Sequence, residues 1–352
     1  MLNVQNILTR LCARPGPSGR ETTVSAAAAE CLAPLVGRVE TDRLGNVLGY
    51  LPCGEENAPV LLLDAHLDEV GVMVTAREEG YLRFRPVGGL DPRVMPAQRV
   101  RFLTDPPVLG VVACLPPHIQ TGEEQHTVQP LEELYIDTGG AEIPAGTMGV
   151  FDLSAPFQAG FALGARQFSA KSLDDRACFA VLLRALELLP AIELLRGRTR
   201  RADIVVCGSV MEETGRIGAE TAAYGVQPDY AVVVDVGFGQ SPDAPGDGTF
   251  KPGGGPILTL APECSRRLSA TLQSAAKEAG IPLQIEVCPR GSGTNASAYQ
   301  ISRRGVACAV LGVPLKYMHT PVETVHLNDI ENAARLLAEW IAAGEFHARE
   351  TE

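Results

Sequence analysis

The spacing of apolar and polar positions over residues 1–70 predicts helices followed by strands. Amphipathic helical patterns cover about 3–12 and the segment that ends near 35, and the turn RPGPSG joins them. A hairpin pattern then turns at Leu44-Gly45-Asn46, with β-branched residues on both sides. The continuously apolar segment APVLLLDAH follows, and it is typical of a strand buried on both faces of an α/β sheet.

The pattern changes over residues 71–164, where short alternating strands replace the helical periods. Gly/Pro turns separate these strands, and no segment here has a convincing helical period. The strand patterns are GVMVTAREEGYLRFRPV, RVRFLT and VLGVVACL. We therefore predict a small all-β, barrel-like domain in this part of the chain.

Helix and strand patterns alternate again from about residue 174 onward. The helical patterns are DDRACFAVLLRALELL, IGAETAAYG, SRRLSATLQSAAKEAG and VHLNDIENAARLLAEWIAAGEF, and the strand patterns are ADIVVCGSV, DYAVVVDVG, PLQIEVC and GVACAVLGVP. Because the alternation flanks the β-rich stretch on both sides, we predict one α/β domain, formed by 1–70 and 165–352, with 71–164 inserted into it. We expect a three-layer α/β/α architecture with a mixed, mostly parallel sheet.

Composition narrows the classes of function. The chain carries 42 acidic and 30 basic residues, a net charge of −12, and no Lys/Arg run, which argues against a nucleic-acid partner. The nine cysteines are scattered without CxxC spacing, so we expect reduced thiols in a cytoplasmic protein and no thiolate zinc site. The amino terminus lacks a signal-peptide layout, and charged residues interrupt the most apolar long segment, 177–195. We therefore expect no membrane partner.

Acidic residues and histidines recur at the ends of apolar strands or in the turns that follow them. Five places share this arrangement, and their residues are His66 and Asp68, Asp174 and Asp175, Glu212 and Glu213, Asp235, and His319. In an open parallel sheet the carboxyl ends of the strands meet at one edge, where ligands bind. Residues far apart in the sequence are therefore expected to meet in one cleft.

Each of these features alone has an ordinary structural explanation, such as a helix cap, a solvated turn or a packed histidine. Together they form a hard nitrogen and oxygen ligand set that suits zinc, cobalt or manganese. Two divalent ions about 3.5–4 Å apart, bridged by a carboxylate and a water, are a common hydrolytic device. In such a site one of the adjacent residues Glu212 and Glu213 can bind a metal while the other stays free as a general base.

These segments resemble metallopeptidase family 42, the glutamyl-aminopeptidase and tetrahedral (TET) aminopeptidase group. The matching segments occur in order through nearly the whole chain. They are AHLDEVGVMV, VGGLDPRVMPAQRVRFLT, GVVACLPPHIQ, LYIDTGG, KSLDDR, MEETGRIGAETAAYG, VVVDVGFGQSPDAPG, GTNASAYQISRRGV and KYMHTPVETVHLNDI. The resemblance implies an aminopeptidase that acts on peptide substrates with two divalent metal ions per subunit, zinc or cobalt first and manganese as a third candidate.

The resemblance also implies a set of metal ligands. His66 and Asp235 would be terminal ligands of one ion, and Glu213 and His319 terminal ligands of the other. Asp174 would bridge the two ions, and its bond to Asp175 is a candidate cis peptide. The remaining histidines have no ligand context, and they are His118, His126, His326 and His347.

Two further residues receive catalytic roles from the resemblance. Asp68 would orient His66 by hydrogen bonding. Glu212 would deprotonate the water that bridges the ions and later protonate the leaving amine. The β-rich insertion matches the family's dimerisation domain, so homo-oligomers are expected, as dimers and as dimers built into a tetrahedral dodecamer.

The substrate is less constrained than the chemistry. Asn295 replaces an aspartate of the usual Gly-Thr-Asp-Ala pattern, and Lys316 stands where an arginine is usual; we expect both near the substrate pocket. The same metal centre would also serve an N-acyl deacylase or a carboxypeptidase, which a requirement for a free amino terminus distinguishes. An inactive binding protein would lack the base or the bridge, and an endoglucanase would need two carboxylic acids without this histidine set.

Overall fold

The computed structural model of the chain describes residues 2–122, 126–153, 159–244 and 246–344. It is a mixed α/β fold with one large mixed sheet and a separate closed antiparallel barrel. The helices are α1 (Val4–Cys12), α2 (Thr22–Leu32), α3 (Leu173–Arg196), α4 (Ile217–Val226), α5 (Arg266–Ala279), α6 (Ala296–Gln300) and α7 (Leu327–Ala343).

The strands, in chain order, are β1 (Arg38–Thr41), β2 (Val47–Leu51), β3 (Val60–His66), β4 (Gly71–Glu78), β5 (Tyr81–Val87), β6 (Arg99–Phe102), β7 (Val108–Val112), β8 (Ile136–Asp137), β9 (Met148–Phe151), β10 (Phe161–Leu163), β11 (Gln167–Ala170), β12 (Asp203–Ser209), β13 (Tyr230–Phe238), β14 (Ile257–Leu260), β15 (Gln284–Val287), β16 (Ala307–Lys316) and β17 (Glu323–His326). The predicted hairpin at Leu44-Gly45-Asn46 is the antiparallel pair β1–β2.

The large sheet has eleven strands, with the order β1-β2-β12-β3-β13-β16-β17-β11-β10 and with β14 and β15 attached through β16. Its four central strands, β12, β3, β13 and β16, run parallel to one another. The strands that flank this group pair with it in antiparallel fashion, β2 with β12 on one side and β14 and β17 with β16 on the other. The carboxyl ends of the central strands therefore lie at one edge, as expected for an α/β sheet.

The central strands are buried on both faces, because successive side chains of a strand point to opposite sides. In β3, Leu61 and Leu63 pack in the core shared with α1, α2, α3, α5 and α7, while Leu62 packs in the core shared with α4 and α6. Helices therefore cover both faces of the sheet, and the predicted three-layer α/β/α architecture is confirmed.

The six strands β4 to β9 form the closed barrel, in the order β4-β5-β8-β7-β6-β9. Its interior is a separate core that includes Val72, Phe84, Val100 and Phe102. Closure pairs each strand with two neighbours, so no strand edge is left open. The expected barrel-like, all-β part of the chain is thus present.

Three local features differ from the sequence patterns. Helix α3 continues past Pro190 to Arg196 and ends where Gly197 adopts a left-handed conformation. The final helix begins at Leu327, because the preceding residues pair with β16 and β11 as β17. Strand β10 lies within the 71–164 range but pairs with β11 of the large sheet.

All nine cysteines are free thiols. None of the helices within the described residues is both long enough and apolar enough to cross a membrane.

Candidate metal centre

Strands β3, β12 and β13 bring their terminal polar residues to the same level of the sheet. His66 is the last residue of β3 and pairs with Ser209, the last residue of β12, so the turn that carries the two adjacent glutamates begins beside His66. The β13–β3 register aligns Val233 with Asp64. Two residues further along, Asp235 and His66 therefore stand side by side at the edge of the sheet.

Two further residues come from loops that fold over this edge. Asp174 lies at the start of α3, where its backbone is not yet helical, and its bond to Asp175 is a cis peptide as predicted. His319 lies between β16 and β17 in a left-handed conformation with φ of 60°.

The carboxylate of Asp174 faces both histidines. Its Oδ1 lies 3.0 Å from His66 Nε2, and its Oδ2 lies 3.4 Å from His319 Nε2. His319 Nε2 is also 3.1 Å from Glu213 Oε1. Each oxygen of Asp174 thus points toward a different histidine, which is the arrangement that a bridging carboxylate requires.

Two groups of side chains within the described residues are close enough to hold a metal ion. One is His66, Asp174 and Glu213, and the other is His66, Asp175 and Asp235; within each group the ligand atoms lie within 4.8 Å of one another. Asp175 was not among the predicted ligands. Its position next to Asp174 in the Asp-Asp pair was the only sequence signal for it.

Burial leaves several polar atoms of this centre without partners. Asp175 Oδ1 is buried and makes no hydrogen bond. His66 Nδ1 lies 3.4 Å from Asp68 Oδ1, close enough for an electrostatic contact but not in hydrogen-bonding geometry. Buried carboxylates need a compensating charge, and a hard cation supplies one. The donor set, two imidazoles and several carboxylates, therefore fits divalent ions.

The protonation of the metal-free centre follows from this crowding. Burial raises the pKa of Asp235 well above its usual value, and burial also raises the pKa of Glu212 and of Glu213. The pKa of Asp174 is lowered instead, because the two histidines outweigh the effect of burial. Burial alone would lower the pKa of His319. Its hydrogen bonds and attraction to the carboxylates of Asp174 and Glu213 outweigh burial and raise this pKa to about 11.

Asp68 is buried beneath the centre and contacts more groups than predicted. Its Oδ1 accepts a hydrogen bond from the backbone N–H of Glu212 at 3.1 Å, and its Oδ2 accepts one from that of Glu213 at 3.2 Å. The hydroxyl of Ser18 donates to Oδ2 at 2.5 Å. Asp68 therefore positions the backbone of both glutamates as well as lying beside His66.

Glu323 is a second buried carboxylate with a positioning role, and sequence reasoning missed it. It accepts the backbone N–H of Asp174 at 3.0 Å and that of His319 at 2.8 Å. Burial, followed by the charge of Asp174, raises the pKa of Glu323 to about 8. Its only sequence signal is a lone acid at the start of the short strand β17.

A cleft of about 460 Å³ opens over the centre. The centre forms one wall, with Glu212 and Arg216 beside it, and Arg216 Nε lies 3.2 Å from Glu212 Oε1. The strands β13 to β16 form a further wall, which includes Phe238, Ile257 and Glu286.

The barrel approaches the centre through the two glycines that follow β5. A Cβ on Gly88 would lie 3.2 Å from Glu213 Cβ, and a Cβ on Gly89 would lie 3.2 Å from His319 Nδ1. The absence of side chains at these positions lets the barrel's backbone pack directly against two of the predicted ligands.

Neither of the two residues expected near the pocket, Asn295 and Lys316, lines the cleft itself, although Thr294, next to Asn295, does. Asn295 is buried behind the cleft wall, where its Nδ2 donates to Asp64 Oδ2 at 2.8 Å and Ser209 Oγ at 2.9 Å. Lys316 donates to Gln167 Oε1 at 2.9 Å, and it does not line the cleft either. Of the histidines predicted to lie outside the site, His118, His126 and His326 do so, and His347 lies outside the described residues.

Comparison with known proteins assigns a family to this fold and centre. A family model described as M42 glutamyl aminopeptidase matches residues 45–336. The lysyl aminopeptidase of Pyrococcus furiosus is 33% identical over 343 residues, which cover 94% of each chain.

Solved structures agree. Aminopeptidase APDkam598 of Desulfurococcus kamchatkensis superimposes with a TM-score of 0.86 at 29% identity, covering 99% of both chains. The TET1 peptidase of Pyrococcus horikoshii, which can assemble into a tetrahedron or a large octahedral shell, gives a TM-score of 0.81 at 29% identity and covers 96% of this chain and 99% of its own. The chain belongs to the M42 glutamyl aminopeptidase family.

Proposed function

We propose that this chain is a metal-dependent aminopeptidase that removes the first residue from peptides with a free amino terminus. Two divalent ions would be held by the five predicted ligands, His66, Asp174, Glu213, Asp235 and His319. The observation that carries this proposal is Asp174, whose two oxygens lie 3.0 and 3.4 Å from two different histidines. A single ion would not require a carboxylate in that position.

Bound ions of this kind supply Lewis acidity, which polarises a peptide carbonyl and makes an attacking water more acidic. The protein's own groups handle the protons. Glu212 lines the cleft beside the ligands, and it would take the proton of the attacking water and pass it to the leaving amine. Arg216 donates to one oxygen of Glu212, the Oε1. Asp68 fixes the backbone from which Glu212 projects.

The acidic cleft suits a cationic amino terminus, which favours an aminopeptidase over a deacylase or a carboxypeptidase. The family description names glutamyl aminopeptidases, whereas the relative from Pyrococcus furiosus is a lysyl aminopeptidase. These names therefore leave the preferred first residue open.

We also propose that the chain forms homo-oligomers through the insertion at 71–164. The outer face of the barrel exposes Leu109 and Val111 on β7 and Ile119 beyond it, and a second subunit would cover such an apolar surface. The TET1 relative assembles into closed shells, and a comparable shell would restrict substrates to peptides.

The test is a metal-restored digestion of matched peptides. Purified protein would be stripped with a chelator, restored with zinc, cobalt or manganese, and given a library in which half of the peptides are acetylated. We expect stepwise loss of the first residue from free-amine peptides only, and only with metal present. Cleavage confined to acetylated peptides, or cleavage from the carboxyl end, would contradict the proposal.

Glu212→Gln should lower kcat by at least about a hundredfold while the protein still binds metal, because the amide cannot accept the proton. Glu220→Gln, on the exposed face of α4, is the matched control and should leave kcat unchanged. Light scattering on the same preparations would report the oligomeric state.

A further inference from the structure

The wall of the cleft formed by β14, β15 and β16 carries one acidic side chain, Glu286. The registers of β14 with β16 and with β15 place Thr259 opposite Val310 on one side and opposite Glu286 on the other. Opposite residues of neighbouring strands point to the same face of a sheet. The same face continues through β16 to β13, where Gly312 pairs with Asp235. Glu286 and Asp235 therefore look into the same cleft from different strands.

We propose that Glu286 binds the side chain of the substrate's first residue and selects lysine or arginine. This inference rests on the proposed aminopeptidase function and adds to it the class of residue removed.

Charge supports this assignment. In the proposed site Asp174, Glu213 and Asp235 are offset by the bound ions. Among the residues that the structure describes, Arg216 is the only Lys or Arg side chain that lines the cleft, and it already contacts Glu212. Within the described residues no basic side chain forms an ion pair with Glu286. The hydroxyl of Thr259 donates a hydrogen bond to Glu286 Oε2 at 2.7 Å. Glu286 thus keeps an uncompensated negative charge.

A second carboxylate, Glu263, lies next to the cleft, where it accepts the backbone N–H of the lining residue Ser292. Burial raises the pKa of the neighbouring Cys288 thiol to about 11, and the carboxylate of Glu286 and then that of Glu263 contribute to the increase. An electrostatically negative pocket attracts a cationic side chain and excludes an anionic one.

The spacing fits a long basic side chain. Three strand-to-strand steps of about 4.8 Å and a shift of two residues, about 7 Å along the strand, separate Asp235 from Glu286, so their backbones are about 16 Å apart. The ε-ammonium of an extended lysine lies about 7 Å from its own α-amino group, if each bond is about 1.5 Å long. Polar contacts of about 3 Å at each end, together with the reach of the Glu286 side chain, fill the remainder.

The wall between the two charges is mostly apolar, with Thr259 beside Glu286 as its polar residue. Ile257 and Val310 line it, and the half-exposed Phe238 stands at its border. Lysine and arginine pack their methylene stems on such surfaces while the charged head reaches a polar partner. An acidic or short first residue would leave either the wall or Glu286 without a partner.

The experiment compares lysine with norleucine, which has a chain of similar length without the charge. Metal-restored protein would be given fluorogenic amides of lysine, arginine, norleucine, alanine and glutamate. We expect the highest kcat/KM for lysine and arginine. Glu286→Gln should lower kcat/KM for these two by about 10- to 100-fold and leave norleucine and alanine within about threefold. Glu278→Gln, on the exposed face of α5, should change none of them.

Calorimetric binding of lysinamide and norleucinamide to the metal-restored protein gives a second readout that does not need turnover. Tighter binding of lysinamide that is lost in Glu286→Gln would support the proposal even if no amide were cleaved, and the missing cleavage would then count against the proposed function alone. Equal losses of kcat/KM or of binding for lysine and norleucine in Glu286→Gln would overturn the assignment of Glu286. A wild-type preference for norleucine or glutamate would do the same.

Discussion

Asp68 shows how one side chain can set the geometry of several others. It is fully buried, and its two oxygens accept the backbone N–H groups of Glu212 and Glu213. The hydroxyl of Ser18 also donates to one of them. Adjacent glutamates with free backbones would turn apart in solvent to reduce their repulsion. Because both N–H groups bind the one carboxylate of Asp68, Glu213 stays beside His319 while Glu212 lines the cleft.

Asp68→Asn is therefore expected to reduce metal affinity and kcat/KM by about 10- to 100-fold each, the usual effect of losing a group that orients metal ligands. The amide keeps the size of the side chain but can accept with only one of its two polar atoms. Metal affinity would be measured by competition with a chromogenic chelator, and kcat/KM with a fluorogenic amide.

Asp229→Asn is the control for this change, because Asp229 accepts the backbone N–H of Val60 at the exposed, opposite end of β3. Unchanged metal affinity in Asp68→Asn would show that the backbone of the glutamates is held by other contacts.

At the level of secondary-structure elements, a buried ion network joins α3 to the rest of the centre. Arg176, near the start of α3, donates to Glu69 Oε1 at 3.1 Å and to the backbone carbonyls of Leu11, Arg14 and Leu67. Lys171, at the other side of the turn, lies 2.5 Å from Glu69 Oε2. These contacts hold the residues just before and after Asp174 against α1 and the end of β3.

Arg176→Leu should lower the free energy of unfolding by about 3–5 kcal/mol, because it leaves a buried carboxylate short of one partner and removes a donor from three backbone carbonyls. Urea unfolding followed by circular dichroism would measure the change. Arg335→Leu removes an exposed arginine that caps Ala279, and it should cost no more than about 1 kcal/mol. A loss for Arg176→Leu no larger than that of the control would mean that Lys171 alone balances Glu69.

For the molecule as a whole, the burial of acidic groups makes the stability of the metal-free protein depend on pH. Burial raises the pKa of Glu21 to about 7 and that of Asp329 to about 6, both well above the values of unfolded chains. His319, raised to about 11, acts in the same direction at higher pH. A group whose pKa is raised by folding stabilises the protein below its unfolded pKa, and this stabilisation is lost as the pH rises through the folded value.

We therefore expect the Tm of the chelator-treated protein to fall between about pH 5 and pH 8, and the Tm gained on adding zinc or cobalt to grow over the same range. Metal ions bind deprotonated ligands, so their affinity rises with pH. Differential scanning fluorimetry at constant ionic strength would follow both quantities. A metal-free Tm that rises across this range would contradict the assignment of buried, protonated acids.

Much of the fold could be predicted because it depends on local patterns. The apolar runs of β3, β12, β13 and β16 identified the buried strands, and the loss of helical period marked the β-rich insertion. The short strand β14 was missed, since its four residues, Ile257–Leu260, are identified by pairing with β15 and β16 and not by their own sequence. Likewise, Val325 and His326 belong to β17 because of cross-strand pairing, although their sequence also suits a helix.

The chemistry of the centre was also encoded locally, because carboxylates and imidazoles at strand ends are visible in the sequence, and all seven predicted site residues lie around one edge of the sheet. Their mutual contacts depend on strand order and loop conformation. His66 meets Asp174 across 108 positions, and Glu323 reaches the backbone of Asp174 across 149. No local pattern specifies such contacts. The chain's residue types and periodicities therefore established the fold class and the kind of site, whereas the three-dimensional packing established that Asp68 and Glu323 hold backbone groups, that Asn295 lies behind the cleft, and that Glu286 faces into it.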